Sequence, residues 1–143
     1  MRGGSEDRLY DPRQATIIAA LDSSTGLPSR LAAALAYAGW WITGGLLWLV
    51  ERRDPYVRFH AAQSMLTFGV AAIAIAGFGG LSLVALQFLP SAFSLFLGAA
   101  GVTAVGAVLL WLVAVTQAIR GVRWRIPMVG VMAERLAGLR RPP

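Results

Sequence analysis

The stretch DPYVRFHAAQSMLTF, residues 54–68, begins as a charged turn and ends inside an apolar run. Pro55 disfavours helical backbone at Asp54, so this pair marks the boundary of a helix. Polar side chains then follow at spacings of three or four residues, which places them on one face of that helix. They are His60, Gln63, Ser64 and Thr67. The pattern predicts a helix that enters a bilayer with a polar stripe turned toward other protein.

The composition favours a membrane protein. Hydrophobic residues make up 57% of the 143 residues and charged residues 14%, whereas soluble domains average about 45–50% and about 25%. Residues 61–119 and 31–50 contain no Asp, Glu, Lys or Arg. Since about 20 apolar residues suffice to cross the hydrocarbon core, these two runs have room for membrane helices.

These runs predict an all-α integral membrane bundle of three transmembrane helices. The 59 uncharged residues of 61–119 can hold two crossings, but three would leave too few residues for the turns. The second helix either ends near Gly79, where two glycines follow one another, or continues to Phe88. The predicted parts are a polar tail (1–28), a transmembrane domain (29–126) with helices at about 30–50, 56–79 and 91–120, and an amphipathic C-terminal segment (127–143).

The arginines predict an orientation. The net charge is +6, and all 13 basic residues are Arg. Three crossings would place four of them with the N-terminus and nine with the 51–58 turn and the C-terminus. Because cytoplasmic loops carry the excess of Lys and Arg, the C-terminus is predicted to be cytoplasmic and the N-terminus outside. The corresponding location is a bacterial inner membrane, as a multi-pass protein.

Polar residues of two helices are predicted to meet near the cytoplasmic face. In a three-helix topology, the start of the second helix and the end of the third lie at the same depth. Hydrogen bonds between such side chains contribute about 0.6–2 kcal/mol each. The predicted helix–helix polar cluster contains His60, Gln63, Ser64, Thr116 and Gln117.

Further residues are expected to contact headgroups or partner proteins. Arg58, Arg120 and Trp124 lie at the ends of the apolar runs, where interfacial anchors are found. Trp40 and Trp41 fall near the middle of the first predicted helix. Because an indole N–H needs a partner in a dry environment, both are predicted to face other helices or another subunit.

The residues favour no catalytic chemistry. The chain has no Cys and one His, and no Lys for a phosphate-binding loop. His60 is therefore expected to form an interhelical hydrogen bond rather than a metal site, which needs several ligands. Arginines that flank apolar runs indicate membrane orientation rather than nucleic acid binding. We expect no enzyme, no cofactor and no nucleic acid partner.

The segments YVRFHAAQSM and WRIPMVGVMAERLAG resemble a widespread group of small bacterial membrane proteins of unknown function. Those in turn look like the twenty-kilodalton-type component of the chloroplast inner-envelope protein import translocon. The plastid proteins have four crossings, whereas three are counted here. The resemblance implies a helical membrane architecture and points to association with larger complexes, and it does not imply an enzyme. The residues that match are Tyr56, Val57, Arg58, Phe59, His60, Ala62, Gln63, Ser64, Arg125, Ile126, Pro127 and Val129.

Three functional hypotheses follow from these observations. The leading one is a non-catalytic accessory subunit that packs in a larger membrane protein complex or against copies of itself, with the lipid bilayer as its surroundings. The alternative is a component of a protein or solute translocation assembly, which would need partners because three helices enclose no aqueous path. The third is a membrane enzyme or cofactor-binding subunit completed by partners.

Overall fold

The computed structural model describes residues 23–127 and 129–138. Within these ranges every regular element is a helix. Most of the predicted polar tail, residues 1–22, and the last residues of the predicted C-terminal segment, 139–143, lie outside the described residues. The helices are α1 (Ser29–Ala38), α2 (Trp40–Val50), α3 (Pro55–Phe88), α4 (Pro90–Ile119) and α5 (Val129–Leu136).

The α3 helix begins at the boundary that the Asp54–Pro55 pair predicts. The Asp54 carboxylate caps it by accepting hydrogen bonds from the backbone N–H of Tyr56 at 2.7 Å and of Val57 at 3.4 Å. Pro55 occupies the first turn, where its missing N–H has no intrahelical partner to lose. The helix then continues to Phe88. The alternative end near Gly79 is therefore wrong.

The α3 and α4 helices form a long antiparallel hairpin. Leu89 separates them, and Pro90 begins α4. Their 34 and 30 residues extend about 50 Å and about 45 Å at 1.5 Å per residue. Both are long and apolar enough to cross a membrane, and α2 is a third, shorter apolar helix.

The predicted single helix over 30–50 is wrong, because the chain breaks at Gly39. Trp40 follows with a φ of 57°, in the left-handed region that residues with a Cβ seldom adopt. The Thr43 hydroxyl oxygen accepts a hydrogen bond from the Gly39 N–H at 2.8 Å and donates to the Ala36 carbonyl at 3.2 Å. Thr43 thus supplies partners for backbone groups that the break removes from the helical ladder.

The two ends of the α1–α2 pair meet at one end of the bundle. The Glu51 carboxylate, just after α2, accepts hydrogen bonds from the Ser24 N–H at 2.8 Å and the Ser24 hydroxyl at 2.7 Å, just before α1. It also accepts from the N–H groups of Arg53 at 2.9 Å and Asp54 at 3.1 Å. The chain therefore turns back at Gly39–Trp40, and α1 and α2 are antiparallel.

The core surrounds the first third of α3. Tyr37 of α1 packs with Phe68 of α3 and with small α4 residues such as Ala114. On another side, Gly44 of α2 lies directly against the α3 backbone, where a Cβ on Gly44 would stand 2.8 Å from the Met65 nitrogen. Beyond this region the α3–α4 hairpin is largely exposed, as Ile73 at 75% shows.

The α5 helix covers a further side of α3. Ala133 and Ala137 pack against Phe59 and Ala62, while the outward-facing Met132 is 61% exposed. The Leu136 carbonyl accepts hydrogen bonds from Trp48 Nε1 at 3.1 Å and from Arg58 Nη2 at 3.3 Å. An ion pair of 2.6 Å joins Arg125 to Glu134 and holds the segment before α5 against the helix.

Candidate functional site: a buried hydrogen-bond network

A buried hydrogen-bonded chain links α1 to α3. Gln63 Nε2 donates to the Tyr37 hydroxyl at 3.3 Å, and that hydroxyl lies 3.0 Å from His60 Nδ1. A hydroxyl that accepts from Gln63 still has its own proton to donate to the His60 ring. The rings of Tyr56 and Phe59 enclose His60 edge-on, with centroids 4.6 Å and 5.2 Å away. The imidazole is thereby fixed in position by the Tyr37 hydrogen bond and by aromatic contacts.

Gln63 also joins the segment after α4 to this network. Its Nε2 donates to the Trp124 carbonyl at 3.2 Å, and its Oε1 accepts from the Ile126 N–H at 3.3 Å. One amide side chain thus satisfies two backbone groups of a segment that has no helical structure of its own. Gln63 is 1% exposed, so these bonds compete little with water.

The same network satisfies the backbone at the α1–α2 break. The Ser64 hydroxyl donates to the Trp40 carbonyl at 2.9 Å, and Trp111 Nε1 donates to the Tyr37 carbonyl at 2.8 Å. Backbone groups freed by a helix break are costly to bury unless they find such partners. The polar face of α3 and the indole of α4 therefore stabilise the turn of the α1–α2 pair.

Two members of the predicted polar cluster lie elsewhere. The structure brings His60, Gln63 and Ser64 together, but Thr116 is exposed and Gln117 half-buried, and among the described residues neither bonds to those three side chains. The prediction is corrected for these two. The Thr116 hydroxyl donates to the Leu112 carbonyl at 2.7 Å within its own helix. The Tyr56 hydroxyl reaches the end of α4 instead, donating to the Ala118 carbonyl at 2.8 Å.

The predicted interfacial anchors and partner-contacting Trp residues differ in how far they are buried. Arg120 is exposed at the end of α4, while Arg58 and Trp124 are half-buried. Arg58 Nη2 donates to the Leu136 carbonyl, and the Trp124 carbonyl accepts from Gln63. Trp40 packs on Phe68 of the same chain, with ring centroids 5.6 Å apart. Trp40 therefore faces α3, another helix of the same chain, which was one of the two predicted alternatives, whereas Trp41 is 45% exposed.

Sequence reasoning missed Tyr37, Trp111 and Glu51. Tyr37 and Trp111 are polar-tipped aromatics inside long apolar runs, and such residues usually bond through the O–H or N–H when buried. That signal could have selected both as network members. Glu51 stands in an Arg-rich turn, where the sequence suggests an exposed carboxylate rather than an acceptor for Ser24.

Comparisons with known proteins place the chain among membrane proteins of unknown function. The model of the magnetosome magnetite crystal formation protein family matches residues 16–133. A UPF0132 membrane protein of Methanocaldococcus jannaschii is 33% identical over 113 residues, 79% of this chain and 92% of the relative. Another, of Archaeoglobus fulgidus, is 35% identical over 114 residues, 78% of this chain and 98% of the relative. No solved structure matches the chain.

The resemblance to small membrane proteins of unknown function is confirmed, while these comparisons show no link to the chloroplast translocon component. The matched residues include the whole buried network, from Tyr37 to Ile126. With that extent of match, the chain belongs to the magnetosome magnetite crystal formation protein family.

Proposed function

We propose that the protein is a non-catalytic membrane subunit in which α3 and α4 cross the bilayer and α1–α2 is a re-entrant pair. The Ser24–Glu51 contact carries this proposal, because it brings the start of α1 and the end of α2 to one level. Helices of 10 and 11 residues extend about 15 Å each, half of a hydrocarbon core of about 30 Å. This topology replaces the three crossings expected from the sequence.

The charges support one common face for the described chain ends. All eight Arg among the described residues lie at the end of the bundle that holds Glu51, since Tyr56 bonds to Ala118 and Arg30 lies beside Gly121. The opposite end, around Leu89, has no charged residue. By the positive-inside rule, the Arg-rich end is cytoplasmic. The chain entering α1 and the chain leaving α5 therefore both lie in the cytoplasm, of a bacterial or archaeal cell.

Single-cysteine labelling tests this topology, because the chain has no native Cys. We expect Leu27→Cys, Arg53→Cys and Gly138→Cys to react from one face of sealed vesicles, and Ser91→Cys from the other. A three-crossing protein would label Leu27→Cys together with Ser91→Cys, and opposite to Arg53→Cys. That second pattern would overturn the re-entrant topology.

The accessory role rests on what the buried polar groups do. His60, Gln63 and Ser64 bond to Tyr37, to the Trp40 carbonyl and to the chain after α4, so they hold the re-entrant pair and the C-terminal segment in place. Trp41, near the level of the α1–α2 turn, is the most exposed Trp of the described residues, at 45%. Trp is among the residues that contribute most to interfaces. The family's named process, crystal formation, would then involve this protein as a structural component.

Photo-crosslinking at the Trp pair tests partner contact. A benzoyl-phenylalanine in place of Trp41 is expected to form intermolecular adducts in native membranes. The same replacement at Trp40 is the matched control and should crosslink within the chain, because that ring packs on Phe68. Absence of adducts at position 41, together with a strictly monomeric mass after mild detergent extraction, would contradict the accessory role.

A translocation component is the competing function. Irregular backbone within a membrane occurs where it is buried in protein or lines a water-filled cavity. Here the break is bonded to Thr43, Ser64 and Trp111, which is the buried case and favours the structural role. Solute flux into proteoliposomes of the purified protein, lost on Gln63→Ala, would favour translocation instead.

A further inference from the structure

The outer face of α4 carries a shallow cavity near its C-terminal end. The cavity has a volume of about 310 Å³ and is open on one side. Apolar side chains line one part of it, and polar side chains form a rim at the end of the helix. Its lining residues are Leu112, Val113, Thr116, Gln117 and Arg120.

We propose that this cavity binds an anionic phospholipid, with the headgroup phosphate held by Arg120 and Gln117 and an acyl chain along Leu112 and Val113. The inference rests on the proposed topology, because that topology places the end of α4 at headgroup depth. The Tyr56–Ala118 hydrogen bond sets Arg120 level with the start of α3 and with the Arg-rich end.

The polar rim is free to bind a ligand. Within the described parts of the chain, neither Gln117 nor Arg120 has a side-chain hydrogen bond or ion pair. The Thr116 proton is already donated to the Leu112 carbonyl. Gln117 can therefore donate two N–H groups and Arg120 several more, which suits the oxygens of a phosphate.

Carboxylates of this chain do not compete for Arg120 among the described residues. Glu51 is buried and accepts from Ser24, Arg53 and Asp54. Asp54 caps α3, and Glu134 pairs with Arg125. The surface of the Arg-rich end is therefore basic, and a basic surface at headgroup depth attracts anionic lipids.

The apolar wall argues for a lipid rather than a soluble anion. Leu112 is 50% exposed and Val113 44% exposed, directly below the polar rim. A phospholipid carries a phosphate next to a hydrocarbon chain, so it can contact the polar rim and the apolar side chains together. Free phosphate would leave Leu112 and Val113 uncovered. An acyl chain that covers Leu112 and Val113 adds packing contacts that a soluble phosphate does not make.

Native mass spectrometry of the full chain in a neutral detergent tests the site with added phosphatidylglycerol and phosphatidylcholine. Retention of phosphatidylglycerol is expected to exceed that of phosphatidylcholine. Arg120→Gln should lower it about fivefold, the effect of about one Arg near an anionic surface. Gln117→Leu should lower it without any change in net charge. Arg52→Gln removes the same charge from the 51–54 turn and should leave retention within about twofold.

Three results would overturn the proposal: equal losses for Arg120→Gln and Arg52→Gln, equal retention of both lipids, or displacement of phosphatidylglycerol by millimolar inorganic phosphate. The last would indicate a soluble anion as the ligand. Arg120→Gln and Gln117→Leu both change side chains that line the cavity, and circular dichroism of each variant will verify the fold. The cysteine labelling reports on topology alone, so failure of the topology and failure of the lipid site are distinguishable.

Discussion

Glu51→Ala is expected to lower the free energy of unfolding by about 3–5 kcal/mol, measured by titration with sodium dodecyl sulfate in mixed micelles. The Glu51 carboxylate accepts four hydrogen bonds, two from Ser24 and one each from Arg53 and Asp54. Hydrogen bonds to a charged group contribute about 1.5–3 kcal/mol each, and some of the freed donors will find water. Since the two bonds from Ser24 join the ends of the α1–α2 pair, their loss should loosen the whole pair.

The pH dependence of this stabilisation has a definite sign. Burial of the Glu51 carboxyl acts to raise its pKa, but the hydrogen bonds from Ser24, Asp54 and Arg53 outweigh burial and hold the pKa below the ordinary value. A depressed folded-state pKa contributes stability that is complete above the unfolded pKa of about 4.3. That contribution is lost as the pH falls through the folded-state pKa.

Glu51→Gln tests this sign, because it keeps the shape and removes the charge. The variant should be less stable than the native protein at pH 7, and the difference should shrink as the pH falls below about 4. Arg52→Ala, in the adjacent exposed position, is the control and should change the unfolding free energy by less than about 0.5 kcal/mol. A Glu51→Ala loss no greater than that of the control would show that the carboxylate does not hold the pair closed.

Gly44→Ala is expected to destabilise the protein by about 3 kcal/mol. A Cβ at this position would stand 2.8 Å from the Met65 backbone nitrogen, 2.9 Å from the Ala61 carbonyl oxygen and 2.9 Å from Ser64 Cβ. The first two are backbone atoms inside a helix, so α2 must move away from α3 to admit the methyl group. Overpacking of this kind typically costs about 1–3 kcal/mol, occasionally more.

The neighbouring glycine provides a matched control for this effect. A Cβ on Gly45 would meet the Met65 side chain at 3.6 Å, which is ordinary van der Waals contact. Gly45→Ala should therefore be neutral or stabilising by up to about 1 kcal/mol, because Ala has the higher helix propensity. Equal effects of the two substitutions on the unfolding midpoint would contradict the close approach of α2 to α3 at Gly44.

Several features of the fold were predictable from local patterns. The uncharged runs predict apolar helices, and Asp54 with Pro55 predicts where α3 begins. The spacing of His60, Gln63 and Ser64 predicts that they face one direction, since a helix of 3.6 residues per turn brings them together. Each of these inferences depends on neighbours in the chain, and such short-range information is fully present in the sequence.

The partners of that polar face were not predictable in the same way. Thr116 and Gln117 have suitable chemistry and a suitable distance from the end of α4, but α4 is rotated so that neither bonds to the polar face of α3. Tyr56 reaches the end of α4 instead, through the Ala118 carbonyl. Helix rotation depends on how whole faces pack, which two polar residues at the end of a run do not specify.

The sequence by itself determined an all-helical chain with apolar runs of membrane length and a polar face at the start of α3. The tertiary structure decided that residues 29–50 form a pair folded back on itself rather than one straight helix. A run of 20 uncharged residues has the same composition in both cases. The turn at Trp40 is stable because Ser64 and Trp111, distant in sequence, bond the carbonyl groups beside it, while Ser24 and Glu51 join the ends. Such bonds exist only once the helices have packed.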